Sequence, residues 1–158
     1  MKFLRGLFLA TSLLIASCAG GQGKVEPKGY DIGACAPDSY LAAHVVFVDK
    51  DLKMDLVSEE PGVVDKKEPA LLYKFDSKDK NGVSHYVLAS QKGVKLELVL
   101  DFDKKIGVFL VDGNPGAVLF MFKDDDGSKL AENAMEGFKA CVDLVSGEKE
   151  PSDLIKIH

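Results

Sequence analysis

Apolar and polar positions alternate in short runs through the middle of this chain. The runs are HVVFV (44–48), LKMDLV (52–57), ALLYKF (70–75), VSHYVLA (83–89), VKLELVL (94–100), IGVFLV (106–111) and AVLFMF (117–122). Turn-forming clusters separate them, among them Asn81-Gly82 and Asp112-Gly113-Asn114-Pro115-Gly116. Asn-Gly between two such runs is a strong hairpin signal. Joins this short cannot make parallel crossovers, so the pattern predicts an antiparallel meander of about seven strands, curved or barrel-like. In VKLELVL, Val94, Leu96, Leu98 and Leu100 share one face, while Lys95, Glu97 and Asp101 share the other. That strand reads as half buried. IGVFLV and AVLFMF are apolar on both faces, so they require cover on both sides: a curling sheet, a helix or a partner.

The period changes after Gly127. From Ser128 to Gly147, apolar residues recur at Leu130, Ala134, Phe138, Cys141, Val142 and Val145, the spacing of an amphipathic helix. Asp126 or Ser128 is placed to cap its start and Gly147 to stop it. The internal Gly137 costs about 1 kcal/mol relative to Ala and marks a point of close packing on the sheet. The fold class is therefore α+β, a meander packed with one C-terminal helix. Leu154–His158 follow a break at Pro151 and are read as a short edge strand or a frayed end.

The first residues follow another logic. Lys2 and Arg5 precede an uncharged stretch from Gly6 to Ile15, with small residues at Ala16 and Ser17. This is the layout of a secretory signal peptide. A stretch of ten residues is too short for a bilayer core that needs about 20. Ile15-Ala16-Ser17-Cys18 resembles the lipobox of bacterial lipoproteins. The resemblance implies cleavage before Cys18 and a diacylglycerol thioether on its sulfur, with an acyl chain such as palmitate on the new amino group. Several acyl chains, at about 0.8 kcal/mol per buried methylene, make a stable anchor. Ala19, in place of the Asp that resembles an inner-membrane retention signal, leans the expectation towards the outer membrane, facing the periplasm or the surface. The domains so read are a signal peptide over 1–17, a flexible Gly-rich tether over 18–33 and a single domain over 34–158.

Composition narrows the function classes. Removing Lys2 and Arg5 leaves 18 basic against 25 acidic residues, a net charge of −7. Such a domain repels nucleic-acid phosphates, so no nucleic-acid partner is expected. With one of the three cysteines on lipid, Cys35 and Cys141 remain as a pair in an exported chain, where disulfides persist. A bond between them would close a loop for which the chain-entropy model gives about 4–5 kcal/mol. The alternative, a redox or nucleophilic thiol, lacks a C-x-x-C.

No motif points to catalysis. The three histidines, His44, His85 and His158, lack metal-ligand spacing, although His44 and His85 would form a pair if their strands were neighbours. The acidic runs at 76–82 and 124–127 fail the calcium-loop pattern, lacking a carboxylate at the twelfth position. Asp49 with Asp51, and Asp101 with Asp103, read as solvated turns. No metal, cofactor or catalytic residue is assigned, and an enzyme is not expected. The remaining candidate is apolar: Phe109, Phe120, Met121 and Phe122 read either as core beneath the helix or as a groove for an apolar ligand or partner. Two classes of function stay open. One is a non-catalytic binding or assembly module for an envelope protein. Small anchored domains of this kind, lysozyme-inhibitor lipoproteins among them, resemble it without a shared motif here. The other is a carrier of lipid or another apolar small molecule.

Overall fold

A computed structural model describes residues 28–36, 39–91 and 93–148. Eight strands run in order: β1 Gly29–Ala36, β2 Ser39–Val48, β3 Asp51–Ser58, β4 Asp65–Lys78, β5 Ser84–Gln91, β6 Val94–Asp101, β7 Ile106–Val111 and β8 Asn114–Lys123. Each pairs antiparallel with the next, and β8 returns to β1, so the meander closes into a barrel. Helix α1, Leu130–Asp143, follows and continues into one wider turn at Leu144–Glu148. Among the described residues no helix is long and apolar enough to cross a membrane.

The seven runs seen in the sequence correspond to β2–β8. The eighth strand lies where the sequence pattern predicts tether: β1 takes in Gly29–Gly33, so the folded domain begins by Gly29 rather than at residue 34. Its small residues fit it for a crowded place. A methyl group built on Gly33 would lie 3.5 Å from Gly137 Cα, and this close approach seats α1 on the sheet. The expected packing at Gly137 is thus present.

Strand alternation sorts inside from outside. Tyr30, Ile32, Val45, Leu52, Leu98, Leu100, Leu119 and Met121 fill the barrel. Helix α1 lies outside, against β1 and, to a smaller extent, β2, β3 and β8. Its buried face is Leu130, Ala134, Gly137 and Cys141. The predicted stripe is therefore corrected: Phe138, Val142 and Val145 are 45, 50 and 66% exposed. Two fixed points, the glycine contact and the Cys35–Cys141 disulfide, set the helix's rotation and turn those three side chains away. The expected caps are also displaced. No side chain caps Lys129, the residue before the helix. Instead the carboxylate of Asp124 accepts the Lys129 N–H at 2.9 Å, and Asp126 accepts that of Ser128 at 3.0 Å.

The two barrel ends differ. Phe102, in the β6–β7 turn, packs between Tyr30 (ring centroids 5.2 Å), Phe47 (5.5 Å) and Tyr86 (6.5 Å). Phe75 stacks edge-on against Tyr86 at 5.7 Å. These rings plug the end where β1 starts and β8 stops. The opposite end, with the β1–β2, β3–β4 and β7–β8 turns, carries small inward residues.

The disulfide ties β1 to α1 across 106 residues, with Cα atoms 5.3 Å apart. Replacing both cysteines by alanine should cost about 2–5 kcal/mol. The readout is a lower urea midpoint with an unchanged far-ultraviolet dichroism spectrum.

Candidate functional site

The open end of the barrel holds a cavity of about 480 Å³. Its depth is lined by Ile32, Leu71, Tyr73, Leu98, Phe109 and Leu119, and its rim by Ala34, Ala36, Leu41, Ala43, Val57 and Ala117. The cavity has a simple origin. Eight strands enclose an interior that side chains just fill, or that holds one small ligand. Where the rim offers alanines and Gly116 instead of rings, space is left. Burial raises the pKa of the Tyr73 phenol above its ordinary value, so it stays neutral. Glu59 and Lys67 are the charged groups among the lining residues, both exposed at the rim. Among the described residues the lining includes no serine, cysteine or histidine. The chemistry on offer is apolar enclosure with two charges at the mouth.

The sequence-predicted groove residues do not share one surface. Phe109 lines the cavity and Met121 sits in the barrel core, 2% exposed. Phe120 pairs with Ile106 and faces outward. Phe122 also faces outward, towards α1 near Gly137. The parity of a strand divides them: consecutive residues 120, 121 and 122 cannot point into one groove. Cys35 and Cys141 are joined, as the pairing expects. Cys18 and His158 lie outside the described residues. The small inward positions that make the cavity, at 34, 36, 43 and 117, were the missed signal; they are visible once the parity of each strand is assigned.

A second polar constellation lies outside the barrel wall, beneath the start of α1. Asp31 on β1 and His44 on β2 are register partners, and Asp31 Oδ1 lies 2.8 Å from His44 Nδ1. Asn133 of α1 donates from Nδ2 to the other Asp31 oxygen at 2.7 Å. Asp124, at the end of β8, completes the group. Asp31, His44 and Asp124 are 1, 2 and 5% exposed. Gly127, at φ +77°, packs against the imidazole; a Cβ there would meet His44 at 3.1 Å and Leu56 at 2.7 Å. One ligand atom from each of Asp31, His44 and Asp124 falls within 4.8 Å of the others, the dimension of a cation site. Asp31 uses both oxygens on His44 and Asn133, and Asp124 binds the Lys129 N–H. His44 Nε2, by contrast, is buried without a hydrogen-bond partner among the described residues. The arrangement works as a hydrogen-bonded joint between β1, β2, β8 and α1. His85, on β5, is three strands away from His44, so the two do not form a pair.

Burial opposes charge on His44, but the Asp31 hydrogen bond and the carboxylates of Asp31, Asp124 and Asp55 outweigh it and hold its pKa above the ordinary value. For Asp31, burial raises the pKa, aided by Asp124 and opposed by its bonds to His44 and Asn133. Among the turn carboxylates, Asp79 is lowered chiefly by the Val83 N–H and Asp126 by Ser128.

The fold and cavity together define a closed, eight-stranded antiparallel barrel with an apolar interior open at one end. Comparison with family models, with characterised proteins and with solved structures finds no match to this chain.

The joint sets a pH dependence. A histidine whose folded pKa is raised contributes stability that is complete below about 6.5 and is lost as pH rises through the folded value. The raised Asp31 has the same sign, favouring the folded state towards acid. The urea midpoint of the protein should therefore fall as pH rises above about 6.5, and His44→Gln should be less stable and lose that dependence. A midpoint that is equally flat in both proteins contradicts this assignment.

Proposed function

We propose that this chain is a bacterial envelope lipoprotein, anchored through Cys18, whose barrel binds an apolar small molecule or acyl chain without transforming it. The observation that carries this reading is the cavity of about 480 Å³, apolar through its depth and plugged at its far end. Ligand sites are typically apolar clefts of about 300–1,000 Å³ with few polar groups. Glu59 and Lys67 stand where the polar head of such a ligand would emerge. The sequence Ile15-Ala16-Ser17-Cys18 supports the anchor, and Ala19 supports the outer membrane as its place. An anchored barrel would exchange ligand with the adjoining bilayer or with another envelope component.

A separate observation favours a protein partner as well. Met135, Phe138 and Val142 on α1 and Val145 in the turn after it form an exposed apolar row, and the Phe138 ring packs tilted against Tyr40 at 5.9 Å. Scattered exposed apolar residues are ordinary, but a contiguous row marks contact surfaces. In this reading α1 docks an envelope protein while the barrel holds the ligand.

Native mass spectrometry of the protein extracted from its own membranes tests both readings. One equivalent of bound lipid or apolar metabolite is expected, and Ala117→Trp, which fills the mouth, should remove it. A ligand-free protein that also fails to bind a fluorescent fatty acid overturns the carrier reading. A co-purifying protein lost on Phe138→Asp supports the docking role. Cys18→Ser should release the protein from the membrane fraction and alter its processed mass; sedimentation with membranes at unchanged mass overturns the anchor.

A further inference from the structure

Among the described residues that line the cavity, the polar side chains are Glu59 and Lys67 at the rim and Tyr73 within. Alternation along β4 sets the depth of Tyr73. Phe75, two residues on, belongs to the ring plug, and Leu71, two residues back, lines the cavity. Lys67 stands at the mouth, six residues back along the same strand. Tyr73 pairs with Leu52 on β3 and Leu88 on β5, and all three belong to the core inside the barrel. Tyr73 is 4% exposed. Burial alone raises its pKa, with no hydrogen bond to set against it, whereas Ser84 bonds the phenol of Tyr86. Its hydroxyl therefore has no partner among the described residues. Nor is that hydroxyl sealed within packed side chains, as the unpartnered hydroxyl of Tyr40 is. It opens on the cavity that Tyr73 lines.

A buried tyrosine hydroxyl normally finds a partner. We propose that here the partner is the ligand: Tyr73 donates a hydrogen bond to a neutral oxygen, such as a ketone or ester carbonyl, at the inner end of an otherwise apolar molecule. This rests on the carrier reading of the cavity and names what the carrier selects. The neutral phenol offers one donor at the bottom of an apolar space. A hydrocarbon bound there leaves that donor unpaired, at the cost of a buried unmade hydrogen bond. An ionised carboxylate placed as deep would be a charge stripped of water with one phenol to serve it, since the cation of the lining, Lys67, is at the mouth. A carbonyl oxygen brings an acceptor without a charge. Any charged or hydrated group of the same ligand belongs at the rim, beside Glu59 and Lys67.

The full chain carrying Cys18→Ser, freed of bound lipid, tests this by displacement of a fluorescent fatty acid with tridecan-2-one, tridecane and tridecanoate. Tyr73→Phe removes only the hydroxyl oxygen. It should weaken the ketone about tenfold and leave the alkane and the carboxylate bound as before. Infrared spectra of the carbon-13-labelled ketone give a second readout on the unsubstituted Tyr73. Its carbonyl stretch should lie below its value in hexane and return towards that value in Tyr73→Phe. Ketone affinity unchanged by the variant, or a stretch lowered equally in both proteins, overturns the role of Tyr73 while the carrier reading stands. A carboxylate weakened as much as the ketone overturns the preference for a neutral oxygen. Failure of every probe to displace the fatty acid overturns the carrier reading and this inference with it.

Discussion

Everything in this molecule follows from the closure of β8 on β1. Six register pairs, from Tyr30↔Lys123 to Cys35↔Val118, turn a ribbon of hairpins into a barrel with an interior. Without that seam the meander would be an open sheet with two edges, and no cavity would be enclosed. Closure alone removes exposed edges from an antiparallel sheet. The seam is also where α1 is fastened. At one end of the helix, Asn133 and the Asp31–His44 pair join it to β1 and β2. At the other, Cys141 bonds to Cys35. Between them, Gly33 and Gly137 let the backbones approach. A covalent bond, a buried polar joint and a glycine contact thus all bear on the strand that closes the barrel.

The same barrel is filled unevenly, and this produces its candidate site. Tyr30, Phe47, Phe75, Tyr86 and Phe102 occupy the end where the chain enters, while alanines line the opposite rim. Burial pushes the Tyr86 phenol up to about 12, against the lowering effect of Ser84 and with a further rise from Asp51, so the plug carries no phenolate charge near neutrality. The ring plug replaces a second opening, so a ligand would have one way in and out. The anchor proposed at Cys18 precedes β1 and therefore joins at the plugged end. The eleven steps from Cys18 to Gly29 reach at most about 40 Å, longer than the roughly 26 Å of an eight-residue strand. The proposed anchor would therefore leave the mouth free to face either the bilayer or the aqueous compartment.

Much of this was legible in the sequence, with a definite boundary. Strands β2–β8 announce themselves through alternation and turn residues because their inward and outward demands differ at nearly every position. β1 does not: Gly29 and Gly33 answer to close backbone approach, and glycine in such a run reads as linker. The helix was legible, but its facing was not. Phe138, Val142 and Val145 satisfy the periodicity as well as Leu130 and Ala134 do, and only the glycine contact and the disulfide decide between the rows. The Asp31–His44–Asn133 joint escaped because its members lie 13 and 102 residues apart, beyond any local spacing rule. The cavity escaped for a different reason. It is made by side chains that are too small, and a sequence scan looks first for residues that are large or reactive.

The doubly apolar strands connect these points. β7 and β8 carry apolar residues outward as well as inward, a pattern that belongs to buried sheets rather than to a barrel wall in water. On β8 and β1 the demand is met by α1, which brings Gly137 beneath Phe122. On β6 and β7 the outward Val99, Val108 and Leu110 are buried with Val83 in a cluster of their own. Where α1 covers it the wall is held from without, so the interior can be left partly empty at the mouth. In a domain of this size an unfilled cavity is a destabilising feature, costing about 24 cal/mol per Å³ where packed side chains are removed. The helix, fixed by a disulfide and a buried joint, would offset that cost and keep the cavity available to a ligand.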